Sequence, residues 1–200
     1  MLLRTPVLRA WLAALAMACT SPLYALTAAE VGSIAPQTQL DMPLPSGGIY
    51  ELRSLTVNAV GVFTDADGSP WLRLEGTEAK DEDDFTVFID AAEGQVEMAL
   101  VVNTITLEDL GTGLEPLRAM AKARQGKLSY EGKNFSFSAA ARAEFKAQGD
   151  ASPVRVGYFV LQCDEDANLS LMVINWGARV EVLVNERIDP SQVSLHAAAH

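Results

Sequence analysis

The chain has 200 residues, 49% hydrophobic and 20% charged, with 26 acidic against 15 basic side chains and a formal net charge of −11. That composition suits one globular domain with a sizeable core and excludes a disordered or fibrous chain. It argues against a nucleic-acid binder, whose phosphate contacts need a basic surface, and two Cys and two His leave little for a disulfide scaffold or a zinc site.

Residues 1–25 read as a secretory signal peptide. Arg4 and Arg9 make a positive start, Ala10 to Cys19 is apolar, and Ser21-Pro22 precedes Leu23-Tyr24-Ala25. Cleavage after Ala25 satisfies the small residue needed at that point, so the mature chain is expected to start at Leu26. The apolar run is shorter than the roughly 20 residues that cross a bilayer, and no transmembrane segment is expected in the mature chain. The location expected is the periplasm. Ala16-Met17-Ala18-Cys19 offers the alternative of a lipoprotein anchored at Cys19. If Cys19 is removed with the signal, Cys163 is the remaining thiol, and its place at the end of the apolar run Val154–Cys163 favours burial.

Residues 26–45 contain Pro36, Pro43 and Pro45 and are expected to form an extended lead-in to a single β-rich domain spanning 46–195. Charge is uneven along the mature chain. Residues 26–113 hold 16 acids and three bases, 114–155 hold four acids and eight bases, and 156–200 hold six acids and two bases. After Pro45-Ser46-Gly47-Gly48 the hydrophobic period is mostly two. Tyr50–Val57, Val60–Thr64 and Trp71–Glu75 read as strands, separated by Asn58 and by an Asp67-Gly68 hairpin turn. Asp65-Ala66-Asp67-Gly68 opens like a calcium loop, but Pro70 and Gly76 stand where that loop requires Gly and Glu. Glu78, Asp81, Glu82, Asp83 and Asp84 form an acidic run, either a solvated turn or a cation patch.

Phe85–Ile89 and Val96–Leu107 are β-branched strands around a turn at Asp90–Gly94, with a break expected near Asn103-Thr104. Leu114, Leu117, Met120 and Ala121 repeat at helical spacing, which predicts a helix over 114–125. Thr112 and Glu115 have capping-box spacing and Gly126 is a stop. Arg118, Lys122 and Arg124 form a basic face on that helix. It is expected either to pack beside the acidic N-terminal sheet or to serve as an interaction face for anions. Lys127–Tyr130 and Phe135–Phe137 flank a Gly132-Lys133-Asn134 hairpin, while Ala139–Ala147 suits either strand or helix. Val154–Cys163, Leu169–Trp176 and Ala178–Glu186 form a meander, and a short strand is expected at Gln192–Leu195 before a tail at 196–200. The fold class expected is therefore α+β and β-rich: antiparallel sheets, as meander, sandwich or open barrel, with one main helix. Trp71, Phe88, Phe159, Leu171, Ile174 and Trp176 are the expected core.

Catalytic motifs are missing. There is no Gly-x-Ser-x-Gly elbow, no Gly-rich phosphate loop and no His-Glu-x-x-His, and both His lie in the last five positions. Neither catalytic, cofactor-binding nor metal residues are assigned. Gly132-Lys133-Asn134-Phe135, Val156-Gly157-Tyr158-Phe159, Leu169-Ser170-Leu171 with Asn175-Trp176-Gly177, and Glu181-Val182 through Ile188 together resemble an uncharacterised bacterial β-rich family. Members of that family are often encoded beside polyamine aminopropyltransferases. The resemblance implies no catalytic residue. The function expected is a non-catalytic accessory or binding protein of the cell envelope acting through a protein partner. Capture of a small polyamine-like cation by residues such as Asp81, Glu82, Asp83 and Asp84 is the alternative, and an unrecognised hydrolase a third.

Overall fold

The computed structural model describes residues 26–46 and 49–196. The segment expected to be a signal peptide, with Cys19, and residues 197–200 of the expected tail lie outside them. One long strand organises the fold. β2 (Ile49–Asp65) runs straight through Asn58, absorbing it in a bulge between Val57 and Ala59. On one edge it pairs with β3 (Pro70–Glu78). On the other, its first half pairs with β1 (Gln39–Ser46) and Gly61–Asp65 pairs with a distant strand, β7 (Lys133–Ala147).

That last pairing closes a ring. β2, β3, β4 (Asp84–Asp90) and β5 (Glu97–Ile105) form one meander, and β7, β8 (Val154–Cys163), β9 (Leu169–Asn175) and β10 (Val180–Ile188) form another. The meanders join through β5–β10 and β2–β7, every pair antiparallel. The result is an eight-stranded barrel, a size whose interior is filled by side chains or holds one small ligand. The antiparallel β-rich class expected is therefore present, as one closed sheet. β6 (Lys127–Tyr130) extends β7, and β11 (Ser194–His196) extends β1.

Three apolar layers follow from the ring. Phe63, Trp71, Phe88, Ala143, Val160, Met172 and Leu183 meet inside the barrel. Outside β2–β5, Val57, Leu74, Val87 and Ile89 are covered by Leu26, Val31, Leu40 and Met42. Residues 26–45 are thus more than a lead-in: they carry helix α1 (Ala28–Val31) and a strand, because their apolar residues seal the outer wall. Outside β7–β10, Phe159, Leu161, Leu171, Val182 and Cys163 are covered by helix α2 (Leu114–Ala123) through Leu117. Five of the six expected core residues are buried, and Trp176 is half-buried.

Several local expectations are corrected. α2 ends two residues early, with Arg124 in the left-handed region and its N–H bonded to Met120 and Ala121 carbonyls. Its N-cap is Gly113, so Thr112 lies outside the helix and makes no cap. Thr106 and Asp109 form the reciprocal side-chain turn instead. α2 lies on the C-terminal strands, not beside the acidic N-terminal sheet. Ala139–Ala147 is strand, its small side chains making room for Tyr158 and Val160 opposite. Among the described residues, no helix is long and apolar enough to cross a membrane.

Candidate ligand-binding cavity

The two ends of the barrel differ. At one end Arg73 turns inward from β3, its Nη1 2.6 Å from Glu181 of β10. Its Nε lies 2.8 Å from Glu75, as an ion contact without hydrogen-bond alignment. The guanidinium also sits 5.9 Å from the ring centres of both Phe88 and Trp176, while Arg179 covers the outer side of Trp176 at 5.2 Å. Cation–π contact and paired carboxylates together offset the cost of taking the guanidinium out of water. This end is plugged.

The other end holds a cavity. Trp71, Phe88, Ala99, Met172, Ser170 and Arg187 are among its walls, with about 50 Å³ of room for water centres. A single water needs roughly 10–15 Å³ on that measure, so several waters or one small organic body fit. The aromatic wall is fixed from behind. Trp71 stacks on Phe63 at 3.9 Å between ring centres and meets Tyr158 edge-on. Trp71 Nε1 donates to Asp65 at 3.3 Å and the Tyr158 hydroxyl donates to the same carboxyl at 3.0 Å. Burial holds the Asp65 carboxyl above its ordinary range, and burial followed by the Asp65 charge pushes the Tyr158 hydroxyl far up.

The mouth is acidic. Asp90, the last residue of β4, and Glu97, the first of β5, stand directly opposite each other on the ladder. Both line the cavity. Asp90 Oδ1 accepts from the Ala92 N–H at 3.0 Å, which fixes its position. Glu97 is pushed up to about 7, first by burial and then by Asp90, with Arg187 pulling the other way. Arg187 and Asn168 also border an outer groove lined by Pro43 and Tyr50, so the mouth opens onto the surface. Gln162 Nε2 donates to the Ala167 and Leu169 carbonyls at 3.0 and 2.8 Å, setting the loop that carries Asn168.

One step deeper lies Asn185. It pairs with Ser170 on one side and Val101 on the other, on the same inward face of β10 as Leu183 and Arg187. Asn185 is fully buried, and neither its amide nitrogen nor its oxygen has a hydrogen-bond partner among the described residues. A buried amide left so costs about 1–3 kcal/mol, which makes it an exception that asks for a cause.

Comparison with protein families, curated proteins and solved structures returned no match. No residue role therefore transfers by similarity, and geometry alone assigns the site.

The residues singled out from sequence lie elsewhere. Asp81 is bound by Arg53 at 2.7 Å, and that guanidinium holds its carboxyl below the usual range. Asp83 and Asp84 lie on the turn into β4, with the Asp83 carbonyl accepting from Glu78 N–H. Among the described residues, no three His, Cys, Asp or Glu side chains are grouped to hold a metal. Arg118, Lys122 and Arg124 are exposed on or beside α2, Arg118 ion-paired with Glu115. None of these residues lines the cavity. Glu97, Arg187 and Asn185 were missed by sequence reasoning. Glu97 was within reach, because the turn at Asp90–Gly94 sets Asp90 against it.

Proposed function

We propose that this chain is an exported, non-catalytic binding protein whose barrel takes one small, largely apolar molecule through the mouth at Asp90, Glu97 and Arg187. The observation that carries the reading is a cavity walled by Trp71, Phe88, Ala99 and Met172, with Ser170, Asp90, Glu97 and Arg187 among its polar residues; the buried, unpartnered Asn185 amide is the ladder neighbour of Ser170. Such a wall, mostly apolar with a few converging polar groups, is the common form of a small-molecule site. Export is supported by the signal pattern in residues 1–25. A carboxyl near neutrality beside a second carboxylate can also pass a proton. Room for only a few waters between Trp71, Phe88 and Met172, however, suits a compact apolar body better than a sugar or peptide.

Titration with benzyl alcohol, followed by calorimetry and by the methyl resonances of Met172 and Ala99, tests the reading. Saturable binding is expected, with both methyl signals shifting. Ala99→Phe fills the cavity and should abolish it while the fold persists. Unchanged binding in that variant places the ligand elsewhere and overturns the proposal.

A further inference from the structure

We infer that Asp65 is a positioning residue for the cavity: it fixes which edge of the Trp71 indole forms the wall, and through that edge it limits the size of ligand the barrel admits. This rests on the reading of the cavity as a small-molecule site.

Trp71 and Phe88 supply the aromatic part of the wall, whereas Asp65, Phe63 and Tyr158 are not among the lining residues. They act from behind. The Trp71 ring lies flat on Phe63, 3.9 Å between centres with the planes 5° apart, and meets Phe88 and Tyr158 edge-on at 5.7 and 5.6 Å. Stacking of this kind fixes the plane of an indole. It leaves open a half-turn about χ2, a broad and roughly two-fold torsion, which exchanges the five- and six-membered rings within that plane. The choice falls to the one polar atom of the ring. Trp71 Nε1 donates to Asp65 Oδ1 at 3.3 Å. A flipped ring would carry that N–H away from the carboxyl, and a buried donor without an acceptor is costly.

Asp65 can make the choice because it is itself held. Its N–H donates to the Ser69 carbonyl at 3.0 Å and its carbonyl accepts from Gly68 N–H at 2.9 Å, closing the β2–β3 turn. Tyr158, fully buried on β8, donates to both carboxyl oxygens at 3.0 Å. Three strands therefore meet at one half-buried carboxylate. The desolvation that raises its pKa is a cost that an apolar residue would avoid, offset here by the bonds to Trp71 and Tyr158. Asp65→Asn keeps the arrangement: its Oδ1 accepts from Trp71, and its Nδ2 donates to a Tyr158 hydroxyl turned to accept. Asp65→Leu keeps the branched shape and removes the acceptor.

Two readouts on the mature chain test the inference, in a Trp176→Phe background that leaves Trp71 as the sole tryptophan of residues 26–200. With 5-fluorotryptophan, the parent and Asp65→Asn should each give one sharp fluorine resonance. Asp65→Leu should give two, or one broadened by exchange. By calorimetry, the parent and Asp65→Asn should bind benzyl alcohol about tenfold more tightly than 2-naphthalenemethanol, whose second ring is forced against a fixed wall. In Asp65→Leu that ratio should fall to about threefold or less, because the wall can turn aside. If Asp65→Leu folds poorly, benzothienylalanine in place of Trp71 removes only the N–H and should lower the ratio in the same way. An unchanged ratio on loss of this hydrogen bond gives Asp65 a structural role alone and overturns the inference, while the small-molecule reading stands. An equal fall in Asp65→Asn and Asp65→Leu overturns it too. Failure of both alcohols to bind the parent sinks both.

Discussion

At the scale of single residues, Glu97 and Asn185 are set apart by what surrounds them. Glu97 has a raised pKa in the folded protein, so the native state binds more protons than the unfolded chain between about 4.5 and 7. Its contribution to stability is therefore full below the unfolded value and is lost as pH rises through 7. The side chain is partly exposed, so solvent screens the effect. Melting temperatures measured from pH 5 to pH 8 should fall, and Glu97→Gln should flatten that slope. An unchanged slope in the variant would assign the dependence to another group. Asn185 leads to an expectation opposite to that for most buried residues. Asn185→Leu removes two unsatisfied polar atoms while keeping the same branched side-chain skeleton, and the cavity beside Ser170 can take the bulkier methyls, so denaturant unfolding of the ligand-free protein should show a gain of about 1 kcal/mol. A loss of that size would mean the amide has a partner in solution.

At the scale of elements, barrel closure depends on one glycine. Gly61 sits where β2 leaves β1 and meets β7, and a Cβ there would come within 2.3 Å of the Phe145 ring. Gly61→Ala should cost about 1–3 kcal/mol through forced repacking, and a second change, Phe145→Leu, should recover part of it. If the single variant is as stable as the parent, β2 and β7 are not held this closely. The same elements show what was legible beforehand. Strand identity, the main helix α2 and most of the core follow from period-two and helical spacing. Closure does not, because Asn58 reads as a strand break while the structure absorbs it as a bulge. The site was hidden for a related reason. Along β10, Val182 and Val184 look like the buried face and Glu181, Asn185 and Arg187 like the solvent face. α2 covers the valine side from outside, so the polar side turns into the barrel. Alternation shows that two faces differ, but not which of them is enclosed when both are covered.

At the scale of the whole molecule, the barrel combines an ionic plug at one end with an acidic mouth at the other, and the two ends should respond differently to mutation. Arg73 carries much of the plug: it bonds Glu181, touches Glu75 and lies over two aromatic rings. Arg73→Met strips Glu181 of its closest cation but leaves Arg179 at 3.2 Å. Breaking a fully buried pair costs about 3–5 kcal/mol. Because Arg179 remains and Glu181 is partly open to solvent, about 1–3 kcal/mol is expected here. Removing both charges, in Arg73→Met with Glu181→Leu, should return most of that loss, since methionine and leucine can fill the space among Phe88 and Trp176 without a desolvation penalty. Chemical denaturation of the two single variants and the double variant gives the coupling directly. Strict additivity would mean that the pair does not act as a unit and that the aromatic contacts alone hold this end. Benzyl alcohol binding at the opposite end should survive in the double variant. If it is lost, plug and mouth are coupled through Phe88, which touches the arginine on one side and lines the cavity on the other.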